Sequence, residues 1–272
     1  MNPPVGERST IRHFSLMNSL LAVLNASPHD STESVLARYF LKHFDHLDQL
    51  NVYDVANECF TSRSGIRRFC QSIGLDNFSD LKSYAWEWER HRNQFVGYAS
   101  HDRYRSYLAS AIEQTIQQVS RVVTDEFLDE LARLLHEAER VVILTSDFSS
   151  MSIRQFQQSM LYLRKIVHII TDSTGDIAQL EALGPRDALI VVSEHGNYAR
   201  AVQTALPHAT VPRALVTVDA PYDLIAVFDY ALRLSSEPES PGRTAYAQYG
   251  LTYVFDLLYN RYFELFEAND VK

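Results

Sequence analysis

The spacing of apolar residues changes near residue 140, and this change most constrains what the chain can fold into. Before it, apolar residues recur at helical spacing at about 14–26, 31–43 and 102–121, with shorter helical patterns between 52 and 90. After it, short β-branched runs alternate with helix-length segments, at 140–144, 166–171, 188–193, 214–218 and 230–234. This order predicts an all-helical first part, followed by a doubly wound parallel α/β fold with helices on both faces of the sheet.

Three domain ranges follow from this division of the sequence. We expect a helical domain at 1–92, a connector helix at 93–124 and the α/β domain at 125–272. Thr124 precedes two acidic residues and an apolar helical pattern, so it is a candidate N-cap for the helix that leads into the first strand. The first three β-branched runs are apolar nearly throughout, which is typical of strands buried on both faces.

The charge of the chain is acidic, but it is unevenly distributed. Lys and Arg number 25 against 34 Asp and Glu, a net charge of −9. Residues 1–100 carry 10 basic and 11 acidic residues, a net of −1, so the remaining 172 residues hold the other −8. Two cysteines cannot form a disulfide framework, and no uncharged apolar run reaches 18 residues. We therefore expect a cytoplasmic protein without a membrane partner.

Two short helical patterns separated by a tight turn lie between residues 52 and 73. The first has its apolar residues at Val52, Val55, Ala56 and Cys59, and the second at Ile66, Phe69, Cys70 and Ile73. The segment 59–62 between them is long enough only for a turn. Such a pair predicts a helix-turn-helix motif, whose second helix begins after Ser62 and can enter a DNA major groove.

The second helix of this pair carries a local excess of positive charge. Arg63, Arg67 and Arg68 are the only formal charges between residues 58 and 76. Arginines on a helix are also compatible with a merely solvated face, and the residues alone leave that alternative open. Gly65 costs this helix roughly 1 kcal/mol relative to Ala, and we hypothesise that it allows close approach of the backbone to a phosphate.

Residues 33–86 resemble the N-terminal domain of the RpiR/MurR transcriptional regulators. The resemblance is carried by Tyr-Asp-Val-Ala-Asn-Glu-Cys-Phe-Thr-Ser at 53–62, Ile-Arg-Arg-Phe-Cys at 66–70, Ile-Gly-Leu at 73–75 and Phe-Ser-Asp-Leu-Lys at 78–82. It implies binding to a double-stranded DNA operator, which we expect to be palindromic, by a homodimer or a higher homo-oligomer. Ser62 and Ser64 are then candidates for phosphate contacts, the three arginines for base or phosphate contacts, and Lys82 for a flanking phosphate.

Hydroxyl-rich segments follow three of the predicted strands. They are Thr-Ser-Asp-Phe-Ser-Ser at 145–150, Asp-Ser-Thr-Gly at 172–175 and Ser-Glu-His-Gly-Asn-Tyr at 193–198. Ligands of parallel sheets bind beyond the carboxyl ends of the strands, and short hydroxyl donors suit a phosphate or a polyol. The candidate effector-binding residues are Ser146, Ser149, Ser150, Ser193, His195 and Asn197.

The C-terminal part, 127–266, resembles the sugar isomerase (SIS) domain that follows the DNA-binding domain in the RpiR/MurR family. The resemblance implies a sugar-phosphate effector, bound through a motif of the form Ser-x-Ser-Gly-x-Thr. Here His195 replaces the second serine and Tyr198 the threonine, while Asp147 and Glu194 add negative charge that opposes a phosphate dianion. A neutral or amino sugar, or no ligand, therefore stays open.

An enzyme is the alternative from a different functional class. Glu194 and His195 can be interpreted as the acid/base pair of a sugar-phosphate isomerase. Adjacent loop residues seldom aim at one point, so we expect neither a catalytic residue nor a cofactor. His43 and His46 lack a third metal ligand at suitable spacing. The sequence thus predicts a transcriptional regulator of carbohydrate-metabolism genes, with an isomerase or a ligand-free dimeric scaffold as alternatives.

Overall fold

The computed structural model describes residues 15–171, 180, 182–203, 211–235 and 245–268. The chain divides into two units, of which the first ends at His101 and the second begins at Asp102. Each unit has its own cluster of buried apolar side chains. The predicted connector range 93–124 falls in two helices, one that ends at Ala99 and one that begins at Tyr104.

The described part of unit 1 is helical. Its α-helices are α1 (Leu16–Ala26), α2 (Thr32–Lys42), α3 (Val52–Glu58), α4 (Arg63–Ser72), α5 (Phe78–Lys82) and α6 (Trp86–Ala99), with 3-10 turns at Phe44–Gln49 and Ser83–Ala85. Each of α1 to α5 begins after a serine or asparagine whose side chain accepts a hydrogen bond from a backbone N–H of the first turn: Ser15, Ser31, Asn51, Ser62 and Asn77. These caps satisfy N–H groups that a helix start leaves unpaired, so they set where each helix begins.

The core of unit 1 is built on the apolar sides of α2, α3 and α4. Ile66, Phe69 and Cys70 are buried, which confirms the apolar stripe predicted for α4. The ring centroid of Phe40 lies 5.8 Å from that of Phe69. Burial raises the pKa of the Cys59 thiol to about 11 and that of Cys70 to about 12. Both thiols therefore stay protonated at neutral pH and act as apolar packing groups.

A buried carboxylate holds the start of α1. Glu87 is fully buried on α6, and its Oε1 accepts a hydrogen bond from the backbone N–H of Leu16 at 2.9 Å. Its Oε2 accepts one from the N–H of Met17 at 3.1 Å. A negative charge at a helix N-terminus is favourable because the first N–H groups point toward it. Glu87 of α6 therefore holds the N-terminus of α1 through these hydrogen bonds.

The described part of unit 2 contains a five-stranded sheet with helices around it. The strands are β1 (Val141–Thr145), β2 (Val167–Thr171), β3 (Ala188–Ser193), β4 (Arg213–Thr217) and β5 (Tyr230–Arg233). The helices are α7 (Tyr104–Val122), α8 (Asp125–Glu137), α9 (Asp147–Tyr162), α10 (Asn197–Val202), α11 (Tyr222–Ile225) and α12 (Leu251–Phe266), which follows a π-helical turn at Tyr246–Gly250. All strand pairs are parallel, in the order β2-β1-β3-β4-β5. This order confirms the predicted doubly wound fold.

Burial along the strands agrees with the prediction for two of the first three runs. Every residue of β1 and β3 is buried. In β2, His168 is exposed and Ile169 is half-buried, so the expectation that this run is covered on both faces was wrong. The reason is its place at the sheet edge, where its described pairing is with β1 alone. Thr124 accepts a hydrogen bond from the N–H of Phe127 at 3.2 Å, which confirms it as the N-cap of α8.

The two central strands are tied together at their beginnings. Arg140, just before β1, donates to both carboxylate oxygens of Asp187, just before β3, at 2.9 and 2.6 Å. The backbone N–H of Gly184 donates to the same carboxylate at 2.7 Å. These bonds, above all those from Arg140, lower the pKa of Asp187 below its usual range. The ion pair therefore supports the parallel register that brings the ends of β1 and β3 side by side.

Candidate DNA-binding surface and effector site

The segment from α3 to α4 forms the predicted helix-turn-helix. After α3, the N–H of Phe60 donates to the carbonyl of Asn57 at 3.3 Å, and that of Thr61 donates to Ala56 at 2.9 Å. This pair of bonds closes the helix in a Schellman motif. Ser62 then accepts from the N–H of Gly65 at 3.0 Å and starts α4. The turn between α3 and α4 therefore consists only of the Schellman motif that ends α3 and the N-cap, Ser62, that begins α4.

The outer face of α4 carries most of the predicted DNA-binding residues. Ser62, Arg63, Ser64, Arg67 and Arg68 are all exposed. The hydroxyl oxygens of Ser62 and Ser64 lie 2.8 Å apart, at the helix start. Within the described part of the chain, no carboxylate forms an ion pair with any of the three arginines. The positive charge of this face is therefore not neutralised within the described residues.

Tyr53 of α3 supports one of these arginines. The Arg63 guanidinium lies 4.8 Å from the centroid of the Tyr53 ring, and its Nη1 donates to the Tyr53 hydroxyl at 3.0 Å. A cation above an aromatic face and a hydrogen bond to a neutral oxygen both leave the positive charge intact. Sequence reasoning missed Tyr53, although its place ten residues before Arg63, across one tight turn, was a usable signal.

Lys82 and Gly65 have different surroundings from the other predicted residues. Lys82 is half-buried, and its Nζ donates to the carbonyl of Leu50 at 3.0 Å. Its contact with a flanking phosphate stays a prediction, since an ammonium has two further N–H donors. Gly65 is buried, and a Cβ built there would lie within contact of Thr61 Oγ1. The Thr61 side chain occupies the space beside the Cα of Gly65. The hypothesis that a phosphate approaches the Gly65 backbone closely was therefore wrong.

In unit 2, two of the three hydroxyl-rich segments start side by side. Thr145 at the end of β1 is paired in register with Val192 of β3, so Ser146, just after β1, and Ser193, the last residue of β3, belong to neighbouring strands. The chain leaves β1 for β2 on one side, while β3 lies on the other, which makes this edge a topological switch point. The third segment, 172–175, lies outside the described residues, as do the side chains of Asp147 and Phe148.

The serines predicted to bind the effector are largely engaged in local structure. Ser146 caps α9 by accepting from the N–H of Ser149 at 3.4 Å. Ser149 and Ser150 are buried. Ser193 is buried as well, and it accepts from the N–H of Ala199 in α10 at 3.2 Å. Ser146 is half-buried and Asn197 is exposed, so these two are the more accessible polar groups of the set.

His195 lies between two carboxylates. Its Nδ1 is 2.7 Å from Oδ1 of Asp219, and its Nε2 is 3.1 Å from Oε1 of Glu194. Burial by itself disfavours the charged ring, but the nearby Glu194 carboxylate, and then the hydrogen-bonded Asp219, outweigh it and raise the pKa of His195 above its usual range. Asp219, on the segment after β4, was not predicted. Nothing in its local sequence pattern marks a partner 24 residues away.

The segment after β3 is fastened to the end of β4. The carbonyl of Glu194 accepts from the N–H groups of Val218 and Asp219 at 3.0 and 3.1 Å. Gly196 has a φ of 72°, and a Cβ there would lie 3.0 Å from Leu224 and 3.1 Å from Ala220. Only glycine fits this conformation and this space without strain. The backbone that carries Glu194 and His195 is therefore tightly constrained.

The electrostatics of this edge favour some ligands over others. Two carboxylates around one imidazole leave the three groups with a net negative charge whether or not the ring is protonated, which opposes a phosphate dianion and favours hydroxyl or ammonium donors. Both ring nitrogens of His195 face carboxylate oxygens, so neither is turned toward a substrate. The set can therefore accept hydrogen bonds from a polyol, whereas an acid/base role would first require His195 to leave both partners.

Metal binding has little geometric support in the part of the chain that the structure describes. There, no group of three or more His, Cys, Asp or Glu side chains converges on one point. His43 and His46, for which the sequence offered no third ligand, lie together, with Nδ1 of the first 3.1 Å from Nε2 of the second. Asp45 is 2.6 Å from Nδ1 of His46. In the described part of the chain, every helix is too short or too polar for a membrane span.

Comparison with known proteins places the helix-turn-helix in a family. Residues 19–89 match the model of the helix-turn-helix domain of the rpiR family. An uncharacterised HTH-type transcriptional regulator of Caldanaerobacter subterraneus subsp. tengcongensis is 38% identical over 68 residues, 24% of each chain. A second uncharacterised HTH-type transcriptional regulator, from Providencia stuartii, is 21% identical over 67% of this chain and 66% of its own.

A solved structure is similar over both units. It is the Vibrio vulnificus NanR protein complexed with ManNAc-6P, with a TM-score of 0.51, 18% identity and 93% coverage of both chains. At this identity the similarity concerns the fold, a helical part followed by a parallel α/β part. The aligned segments of the two curated relatives span about a quarter (24%) and just under two thirds (66%) of their lengths.

Proposed function

We propose that this chain, whose residues 19–89 form a helix-turn-helix domain of the rpiR family, is a cytoplasmic transcriptional regulator that binds double-stranded DNA. The observation that carries the proposal is the outer face of α4, which exposes Arg63, Arg67 and Arg68 with no described acidic partner. Both curated relatives are named transcriptional regulators. By the same resemblance, the controlled genes are those of carbohydrate metabolism.

The chemistry of α4 suits a duplex. Free N–H groups and two serine hydroxyls at a helix start bind phosphate oxygens and fix the register of the helix. Arginine can donate two parallel hydrogen bonds to a guanine edge in the major groove. An acidic chain with one concentrated basic face binds DNA through that face, because phosphates repel the remainder of the surface.

A homodimer on a palindromic operator is the second part of the proposal. Two recognition helices placed about 34 Å apart would reach successive major grooves on one side of the duplex. Unit 2 exposes an apolar group at the C-terminal end of α9 that suits self-association: Leu161 (60% exposed), Tyr162 (77%) and Ile166 (64%). We assign the dimer contact to this group, called the α9 patch below.

The effector in this proposal is a sugar or sugar phosphate bound at the edge formed by Ser146, Ser193, His195 and Asn197. The structure of the similar NanR protein is a complex with ManNAc-6P. The net negative charge of the His195 cluster favours a ligand whose hydroxyl or amino groups, rather than its phosphate, face Glu194 and Asp219. Binding that changes the preferred arrangement of the recognition helices would couple to DNA with about 1–3 kcal/mol.

An isomerase is the less supported alternative. Its acid/base pair would be Glu194 and His195, but these side chains contact each other, and Asp219 occupies the second ring nitrogen. We therefore propose that unit 2 is a binding domain and not an enzyme. Turnover of an aldose phosphate by the purified chain, abolished in His195→Gln, would contradict this part of the proposal.

The DNA-binding proposal is tested by selecting duplexes from a randomised library on the wild-type chain and measuring their affinity for variants. The triple variant Arg63→Ala/Arg67→Ala/Arg68→Ala should bind the selected duplex at least about a hundredfold more weakly, since each contact contributes on the order of 1 kcal/mol or more. The matched control is Arg133→Ala/Arg186→Ala/Arg200→Ala, which removes the same charge from exposed positions of unit 2. Equal affinity of the two triple variants would refute the assigned surface.

The effector proposal is tested by a thermal-shift screen of sugar phosphates, amino sugars and their neutral forms. A ligand at a hundred times its Kd stabilises the protein by about 2.7 kcal/mol, a shift that is readily measured. Asn197→Ala and His195→Gln should reduce the shift of any ligand found. If none of the three ligand classes shifts the melting temperature, unit 2 is a ligand-free scaffold.

A further inference from the structure

Phe60 is the most exposed large apolar side chain of the described residues, and it lies in the turn of the helix-turn-helix. Its side chain is 97% exposed. Its backbone adopts a φ of 50°, in the left-handed region that side chains with a Cβ disfavour. Phe60 is therefore unfavourable in two ways, since an apolar ring faces water and a strained backbone carries it.

The end of α4 shows what the same turn looks like without this strain. There, the N–H of Gly74 donates to Gln71 and that of Leu75 donates to Cys70, at 3.1 and 2.8 Å, in the same Schellman pattern as at Phe60. Gly74 takes the left-handed position with a φ of 92°. Glycine is the usual residue at this position because it lacks the Cβ that causes the strain. The turn after α3 therefore does not need a phenylalanine for its geometry.

The fold of unit 1 gains nothing from the Phe60 ring either. A side chain that stays 97% exposed transfers almost no apolar surface out of water, so the hydrophobic effect cannot offset the strain. Nor does the ring belong to the buried cluster of this unit or to the side chains packed against it. Among the described residues nothing therefore packs on the ring, which leaves it available to a partner molecule.

The position of Phe60 indicates what that partner is. It stands two residues before Ser62, the N-cap of α4, and three before Arg63, whose guanidinium rests on exposed Tyr53. In helix-turn-helix proteins the start of the second helix is the part that approaches the base edges. We propose that Phe60 is a further DNA-contacting residue, whose ring packs on apolar duplex surface beside α4. This inference rests on the proposed function.

Two apolar groups of DNA offer such a surface. The 5-methyl group of thymine lines the major groove and is contacted by apolar side chains, including phenylalanine. Deoxyribose carbons line the backbone, next to the phosphates that Ser62 and Ser64 are proposed to meet. Both contacts share the same chemistry, burial of an aromatic ring against carbon, and the choice between them is left to the experiment.

The test compares wild type, Phe60→Gly and Phe60→Leu on the duplex selected with the wild-type chain. Phe60→Gly relieves the backbone strain, so its melting temperature should be no lower than that of wild type, and we expect a rise of about 2 °C. Its DNA affinity should nevertheless fall, by roughly five- to tenfold. Phe60→Leu keeps an apolar side chain and the strain, so it should retain more of the affinity with no gain in stability. A merely structural residue would move stability and affinity in the same direction.

A second duplex separates the two contacts. Replacing the thymines of the selected duplex by deoxyuridine removes only methyl groups. If the deoxyuridine duplex binds wild type more weakly but binds Phe60→Gly as before, the ring contacts a thymine methyl group. If the replacement changes the DNA affinity of both proteins equally, the ring contacts deoxyribose.

Three outcomes would overturn the inference. If Phe60→Gly binds as tightly as wild type while the triple arginine variant does not, Phe60 makes no DNA contact and the proposed function stands. A change of oligomeric mass in Phe60→Gly at unaltered DNA affinity would instead identify the ring as a protein contact. If the wild-type chain selects no duplex at all, both proposals fall together.

Discussion

Nδ1 of His195 lies 2.7 Å from Oδ1 of Asp219, so a residue after β3 and one after β4 share a proton-bearing contact at the edge of the sheet. Glu194 contacts the opposite ring nitrogen at 3.1 Å. These two carboxylates outweigh the effect of burial and raise the pKa of His195. The contact links folding stability to pH, and it sets the charge that an effector meets.

The first prediction concerns this link. Because the folded pKa of His195 is raised, its stabilising effect is fully present below the unfolded pKa, near 6.5, and is lost as pH rises through the folded pKa. Asp219→Asn should lower the free energy of unfolding by about 1.5–3 kcal/mol at pH 6, and by less at pH 9. Urea denaturation from pH 5.5 to 9 measures this, with Asp223→Asn, which removes an exposed partner of Arg200, as the control. A pH-independent difference would mean that His195 is neutral throughout.

The second prediction concerns the buried carboxylate of unit 1. Glu87→Gln keeps the shape of the side chain but replaces one acceptor oxygen by an NH₂ that faces N–H donors of α1. The expected loss is about 2–3 kcal/mol of unfolding free energy, with faster amide exchange at Leu16 and Met17. Exposed Glu89→Gln, two residues later on the same helix, should stay within about 0.5 kcal/mol of wild type. Similar values for both variants would show that the Glu87 contacts are energetically neutral.

The third prediction separates the arginines of α4 by their contacts. Arg67→Ala should weaken binding to the selected duplex by about 1–3 kcal/mol and relax specificity at one base pair, if Arg67 reads a base. A phosphate contact would instead weaken all duplexes alike and reduce the salt slope by about one. Arg133→Ala, at an exposed position of α8, serves as the control of equal charge. Fluorescence anisotropy at several salt concentrations distinguishes the two, and an unaltered affinity and slope would remove Arg67 from the interface.

The fourth prediction concerns the α9 patch. Tyr162→Glu/Ile166→Glu places two charges in the proposed dimer contact, so the protein should become monomeric and bind the duplex selected on the wild-type chain far more weakly. Light scattering after size-exclusion chromatography measures the mass. Tyr222→Glu, at a position that is 78% exposed in the same unit, should leave the mass unaltered. A double variant with the mass of wild type would show that subunits meet elsewhere.

Much of the fold follows from local patterns. The stripe of Ile66, Phe69 and Cys70 locates α4, and Ser62 and Thr124 mark two helix starts, because caps and apolar spacing act over a few residues. The predicted strands agree with the observed ones to within one residue at either end. The exposed arginines of α4 could be predicted for the same reason, since the opposite face of an amphipathic helix is solvated.

The contacts that were missed join residues far apart in the sequence. Asp219 and His195 are 24 residues apart in the sequence, and Glu87 and Leu16 are 71 residues apart, yet each pair is in contact. Neither acid is distinguished by its neighbours from an ordinary solvated residue, so only the packed chain brings the pairs together. Gly65 is a further example, since the reason that a glycine stands there, the Thr61 side chain beside it, is a matter of packing that its neighbours in the sequence do not reveal.

The complete burial of β1 and β3 has a consequence for how the protein behaves when it is damaged. Val-Val-Ile-Leu-Thr and Ala-Leu-Ile-Val-Val-Ser carry no charge and no proline, and they are rich in β-branched residues. Short segments of this composition form cross-β aggregates once they are exposed. Partial unfolding or proteolysis within unit 2 should therefore end in precipitation.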